Sequence, residues 1–446
     1  MGVTEELMSF VVKSRFEDFP SEVVDRAKSL IFDFAGGALS GLETEAAVLL
    51  TDYVKGMAAK SESGVIAKNF KTTAGYAAYL NGVFNHATEL ESVSQLTTPN
   101  VLPVIAVSLA VGEKMGVSGK KVLEAFILGF DVQARVGGAA LASTSKKGRI
   151  SIFNHLGTST AAAKLMNFDM DRARTALGIA AFQAGGLITT VGTTAHVLEL
   201  PVSGRDGIEA AELAKKGATA PLDILETPQG FLDALVDKGG CDIAKITKDL
   251  GKTFQIIEPG LSMKKYPCCN RAQRALDALF DMMAEHKASY DEIGKVIVDI
   301  NLYDSYLMKY PNPKTGDEAK FSFPHILGAA ILKGRVWVDS FTDESATEEA
   351  LDKARKKIDV IVHPDWPLGR AEARTPVALE LKDGRVFSRE VASAREPTME
   401  QLLNRYREAA QKVFTSEQTE KSIEQLLNIE KLKDISELMN LLTFTK

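Results

Sequence analysis

Residues 119–141 read GKKVLEAFILGFDVQARVGGAAL, and residues 101–114 just before them read VLPVIAVSLAVGEK. Both runs place apolar residues almost all round a helical wheel. Each is therefore expected as a helix buried on every side, deep in a bundle. Working outward, residues 73–88 carry the same period. So do residues 21–34, where Val24, Ala27, Leu30, Ile31 and Phe34 share one face and Ser21 stands as the expected cap. From Glu5 to about Lys216 one amphipathic helix follows another. Small residues recur among them, as AGGA at 35–38, VGGAA at 136–140, AAA at 161–163 and AGG at 184–186. Without bulky side chains two helix backbones approach closely, so a tightly packed α core is expected.

The pattern changes near Pro259. Residues 294–303 and 359–363 alternate as strands do. Residues 376–381 and 385–391 flank Lys382-Asp383-Gly384, the signature of a hairpin with an Asp-Gly turn. Helical spacing at 271–283, 324–332 and 347–357 completes a compact α/β unit. After Pro397 three short helical patterns return and end at Leu442. They have no partner in the α/β unit and are expected to pack back on the first domain. The chain thus reads as mainly α with an α/β second domain: an all-α part over 1–259, an α/β part over 260–396, and helices over 397–446 that rejoin the first part.

Bulk properties exclude several function classes. With 446 residues the chain is too long for one hydrophobic core. Apolar residues at 45% and charged residues at 25% are ordinary globular values, so disorder is not expected. A formal net charge of -6 argues against nucleic acid and anionic membrane as partners. No apolar run reaches the roughly 18–20 residues of a membrane helix. The first residues carry acids where an export signal carries bases, and the three cysteines make no disulfide framework. A cytoplasmic location is the expectation.

No phosphate-cradling glycine loop, HExxH or CxxC pair occurs, and the six histidines are spread along the chain with no His or Cys neighbour at ligand spacing. Neither a metal nor a cofactor is therefore expected, which leaves side-chain acids and bases to carry any chemistry. Four clusters contain them. Glu89 and Glu91 follow His86 at a helix end and either move a proton, bind a polar substrate, or merely face solvent. His196 and Glu199 lie between a Gly/Thr-rich stretch and Gly204, in what reads as a loop. Lys264 to Arg271, KKYPCCNR, joins two bases, two thiols and an arginine at a helix start, a combination suited to a carboxylate. Cys269, near cations, is expected to have a depressed pKa; the alternative is a pair of structural thiols. Tyr310, beside prolines, is either a proton donor or packing.

In this order the clusters resemble the MmgE/PrpD family. The stretches that carry the resemblance are NGVFNHA at 81–87, VLPV at 101–104, GIAAFQAGG at 178–186, GIEAAELA at 207–214, KYPCC at 265–269 and EAKFSFP at 318–324. The resemblance implies a large α domain built from both chain ends, a smaller α/β lid and a homodimer. It also implies a metal-independent site in the cleft between the domains, acting on a small-molecule carboxylate. The family's catalytic pattern is altered here. Glu89 stands for an Asp, Thr98-Pro99 for a His-Pro pair, His196 for a lysine and Cys269 for a basic or His position. Gln273 stands for a further His, while the lid tyrosine is retained as Tyr310. Three of the five replacements keep ionisable character, which favours a respecialised site over a dead one.

The leading expectation is a lyase, either a dehydratase/hydratase or a decarboxylase, working by acid/base proton transfer. Glu89 or His196 would take a proton α to a carboxylate, with Tyr310 or Cys269 assisting the leaving group. Glu91, Lys264, Arg271 and Gln273 would hold the substrate. An isomerase or epimerase would use the same deprotonation with return of the proton on the other face. A non-catalytic metabolite-binding relic would keep the cleft without turnover.

Overall fold

The computed structural model describes residues 2–94, 100–146, 148–368 and 374–445. It is mainly α with an α/β unit, as the periodicity implies. Helix Gly119–Lys146 runs through the middle of the bundle, with Val122, Leu123, Phe126, Leu128, Phe130 and Val132 completely shielded from solvent. Helix Val101–Met115 is buried from Val101 to Glu113. Its ends are chemically marked: the Asn100 side chain accepts from the Leu102 amide at 2.9 Å, and Gly116 closes it at φ +62°. The small residues within helices serve close approach, whereas AGG at 184–186 lies past the end of helix Met170–Gln183 with Gly185 exposed. A Cβ built on Gly129 would lie 2.6 Å from the Gly157 carbonyl oxygen of the neighbouring helix Asn154–Leu165. One boundary differs from expectation. Ser21 is the first helical residue of Ser21–Ser40 rather than its cap, because the Pro20 carbonyl already accepts from the Val23 and Val24 amides.

Two apolar cores are present. The first joins buried residues from 7–263 with residues 402–442, and the second is built from 266–381 plus Val191. The returning helix Met399–Ala410 lies on Ser21–Ser40, where Tyr406 stacks on Phe32 at 5.1 Å between ring centres. In the α/β unit, strand Ile358–His363 pairs in parallel with Ile293–Asn301. That strand pairs antiparallel with Val377–Leu381, which in turn pairs antiparallel with Val386–Arg389. The Asp-Gly turn is present, with Gly384 at φ +90°. Helices Gln273–His286 and Phe323–Lys333 pack against this sheet. Among the described residues no helix is long and apolar enough to cross a membrane.

The helix crossing at Gly129 gives a direct check. Gly129→Val drives a branched side chain into the facing backbone and is expected to destabilise the protein by about 1–3 kcal/mol. The urea midpoint falls while the slope of the transition stays the same.

Candidate active site

The site begins where helix Ala74–His86 ends. The Glu89 amide donates to the His86 carbonyl at 2.9 Å, and Glu89 itself adopts φ +55°. That left-handed conformation costs a residue with a side chain about 1–2 kcal/mol. It turns the chain inward, so Glu89 and Glu91 are both 5% exposed. The reading of this segment as a solvated helix end is thereby overturned. Two residues further, Val93–Ser94 pairs antiparallel with Leu261–Ser262, and this short ladder draws the Lys264 segment alongside. Lys264 then places its ammonium 2.8 Å from Glu89 Oε2 and 2.7 Å from Glu91 Oε1, with its side chain 2% exposed. The backbone is braced from the far end of the chain: Arg405 donates to the Lys264 carbonyl at 3.2 Å and pairs with Asp33, which also accepts from Ser92.

His196 comes from a fourth segment. It lies in the first turn of helix Thr194–Lys215, not in a loop as the Gly/Thr-rich flank suggested. Its Nε2 faces Glu89 Oε1 at 3.5 Å, and its Nδ1 faces Glu199 Oε2 at 3.6 Å. His86, its Nδ1 2.9 Å from the Val197 carbonyl, turns Nε2 toward the same Glu89 oxygen at 3.7 Å. The two imidazoles are 5.0 Å apart between ring centres. Histidines 110 positions apart in the chain are thus neighbours in space, which corrects the expectation that none has a close partner.

The α/β unit closes the site. Lys320 donates to the Ala87 carbonyl at 2.8 Å, across the boundary between the two units, and to Asp317 at 2.7 Å. Phe321 packs edge-on against His196 at 5.3 Å. Together with Gly192 and Thr193 these residues bound a narrow gap with no room for a water molecule. A wider cleft of about 470 Å³ is lined by Lys265, Tyr266 and Trp337 among others. Its cations are already engaged, Lys265 with Asp277 at 3.7 Å and Arg335 with Asp339 at 2.7 Å. The proton-transfer groups face the narrow gap.

The electrostatics follow from burial. Burial works to raise the Glu89 carboxyl, but Lys264, His196 and His86 outweigh it and hold Glu89 well below its usual range. Glu91, buried beside Glu89 with Lys264 shared between them, is pushed up to about 7. Burial opposes the charged form of His196, yet Glu199 and Glu89 raise it to about 10. His86, buried and next to His196, falls to about 4.

The residues singled out from the sequence divide into two groups. Glu89, Glu91, Lys264 and His196 converge. The others are placed differently. The Cys269 thiol is not depressed: burial, and then Glu89, push it up to about 12, so it is neutral. Gln273 is a brace for the KKYPCC loop, accepting from the Lys265 and Tyr266 amides and donating to the Tyr266 and Cys268 carbonyls. Arg271 lies 3.1 Å from Asp304 in a buried pair rather than beside the acids. Tyr310 donates to the Val191 carbonyl at 2.8 Å and lies over Gly192, on the outer side of the gap's wall. Thr98-Pro99, the substitute for the family His-Pro, lies outside the described residues. Sequence reasoning passed over His86, Glu199 and Lys320 as site members. All three lie in stretches it had quoted, and Lys320 is the lysine of EAKFSFP.

The comparisons agree with this architecture. The MmgE/PrpD N-terminal domain matches residues 5–244 and the MmgE/PrpD C-terminal domain matches residues 266–430. The chain belongs to the MmgE/PrpD family. Among curated proteins it is 26% identical to cis-aconitate decarboxylase of Mus musculus over 460 residues, covering 99% of this chain and 93% of that one. It is 25% identical to the Homo sapiens protein of the same name, covering 99% and 94%. The Aspergillus terreus cis-aconitate decarboxylase is 26% identical, with 99% and 96% covered. Similarity to lyases therefore runs the length of the chain.

Removing the central cation exposes the cost of burying its partners. Lys264→Met leaves two adjacent buried carboxylates and is expected to destabilise the protein by about 3–5 kcal/mol. Lys264→Met/Glu91→Gln is expected to recover part of that loss in chemical denaturation. Equal losses for the single and double variants would show that the three side chains are not coupled.

Proposed function

We propose that this chain is a lyase for a small carboxylic acid, removing CO2 or water by proton transfer at the Glu89–His196–Lys264 cluster. The observation that carries the reading is the convergence of an acid, an imidazole and an ammonium from three distant segments in one buried cluster where the two units meet. An acyclic carboxylate suits the cations that border it. Lys264 polarises Glu89 from behind, His196 exchanges a proton with the substrate, and Lys320, freed from the Ala87 carbonyl as its segment moves, offers its ammonium to a carboxylate group. The full-length similarity to cis-aconitate decarboxylases supports a lyase and makes cis-aconitate and smaller unsaturated or hydroxylated dicarboxylates the first substrates to try. Only three of the family's five altered positions keep an ionisable group, which favours an acid with fewer carboxylates than cis-aconitate.

Ligand sites typically span roughly 300–1,000 Å³, whereas the gap beside these groups is closed even to water. Entry therefore requires the segment carrying Lys320 and Phe321 to move away from the end of helix Ala74–His86, a closure that would also exclude water from the reaction. Tyr310 and Cys269 enter this reading through position rather than charge: Tyr310 holds the Val191–Gly192 wall, and the neutral Cys269 thiol packs behind the acids.

The test is solvent-deuterium incorporation and product formation, followed by nuclear magnetic resonance, with a panel of small mono- and dicarboxylic acids. Glu89→Gln and His196→Gln are each expected to lower kcat by about 10²–10⁴-fold with the best substrate, while Cys269→Ser changes it far less. Deuterium uptake without loss of CO2 or water would make the chain an isomerase instead. Wild-type rates in both Glu89→Gln and His196→Gln would remove this site from the reaction.

A further inference from the structure

Three donor atoms in the cluster have an arrangement that acid/base chemistry does not require. One ring nitrogen of His86, one of His196 and one oxygen of Glu89 all lie within 4.8 Å of one another. Glu89 Oε1 is 3.5 Å from His196 Nε2 and 3.7 Å from His86 Nε2. Tetrahedral ligands held at 2.0–2.1 Å from a zinc-class ion are about 3.4 Å apart, so small adjustments would bring these atoms into a ligand sphere. Neither Glu89 Oε1 contact is a short hydrogen bond, whereas the other oxygen, Oε2, is held at 2.8 Å by Lys264.

The surroundings match those of a metal-binding histidine pair. Ligating imidazoles usually give their second nitrogen to a carbonyl or carboxylate, which fixes the tautomer and aims the first nitrogen at the ion. His86 Nδ1 lies 2.9 Å from the Val197 carbonyl, and His196 Nδ1 faces Glu199 Oε2 at 3.6 Å, itself held by Thr190 at 3.1 Å. Glu89, Glu91 and Glu199 have side chains at most 7% exposed; Lys264 is bonded to Glu89 and Glu91, and Lys320 pairs with Asp317. One Glu91 oxygen has no hydrogen-bond partner among the described residues.

We infer that His86, Glu89 and His196 form a binding site for a zinc-class divalent cation. Two imidazoles and one carboxylate suit zinc or cobalt better than calcium or magnesium, which favour all-oxygen sites. Three protein ligands leave a tetrahedral ion one open position, on the side lined by Gly192, Lys320 and Phe321. A bound ion engages the atoms that the proposed proton transfer uses. Metal occupancy and a free Glu89–His196 pair therefore exclude one another.

The inference shares residues with the proposed lyase site but is tested without turnover. The full-length chain, stripped with a chelator, is titrated with Co2+ and followed by its visible ligand-field absorption. Saturation at one ion per chain, with the intense spectrum of a four-coordinate site and a rise in melting temperature, is expected. His86→Gln and His196→Gln, each shown by circular dichroism to be folded, are expected to weaken binding by at least about 10-fold. His363→Ala, which removes the surface pair with Asp299 at 2.5 Å, is expected to leave the spectrum unchanged. A flat titration, or full binding in both glutamine variants, overturns the site. A chain that processes a carboxylate but never binds cobalt refutes this inference alone, and one that binds cobalt in this way without turnover leaves it standing.

Discussion

The Lys264 ammonium, buried between Glu89 and Glu91, is the contact on which the rest of the site depends. Each partner would be costly to bury alone, because a charge taken out of water loses several kcal/mol of solvation even after relaxation. Together they offset most of that cost, provided the geometry is kept. The surrounding structure keeps it: the Val93–Ser94 ladder fixes the acidic segment, Arg405 holds the Lys264 carbonyl, and Asp33 and Ser92 tie Arg405 to the helix beneath. Arg405 comes from the returning C-terminal helix. This gives a physical reason for the chain to close on itself, since the last helices secure a lysine that lies where the α core meets the α/β unit.

This contact also organises the chemistry. Lys264 occupies one oxygen of Glu89 and leaves the other facing two imidazoles. The left-handed turn at Glu89 is the strained element that aims it, and such strain at a buried acid is a common mark of function. His196 is flanked by carboxylates on both sides, which favours its charged form, while His86 nearby stays neutral. Groups whose environments push their protonation apart in this way are suited to separate acid and base roles.

Much of the fold was legible in the sequence because its signals are local. The all-round apolar runs at 101–114 and 119–141, the small-residue clusters and the Asp-Gly hairpin each follow from nearest-neighbour patterns, and all but the AGG at 184–186 are present as expected. The site was legible in part. Glu89, Glu91, Lys264 and His196 stood out as ionisable residues in odd places. The His86–His196 contact did not, since it depends on the packing of two helices that no linear spacing encodes. Cys269 misled for a related reason: cations nearby in sequence suggested a lowered pKa, but the fold buries the thiol against Glu89, and desolvation wins. Gln273 and Arg271 were read as substrate contacts from their place after KKYPCC, whereas the loop itself consumes the hydrogen bonds of one and Asp304 takes the charge of the other.

The central claim is that a small carboxylate enters the narrow gap beside Glu89 and His196 rather than the wider cleft behind Lys265. A crystal structure of the protein soaked with a slowly reacting dicarboxylate tests this most directly. The account predicts ligand density within hydrogen-bonding distance of His196 and Lys320, with the Lys320–Phe321 segment displaced from the end of helix Ala74–His86. Density confined to the cleft lined by Lys265, Tyr266 and Trp337, with the Glu89–Lys264 cluster still sealed, would contradict it.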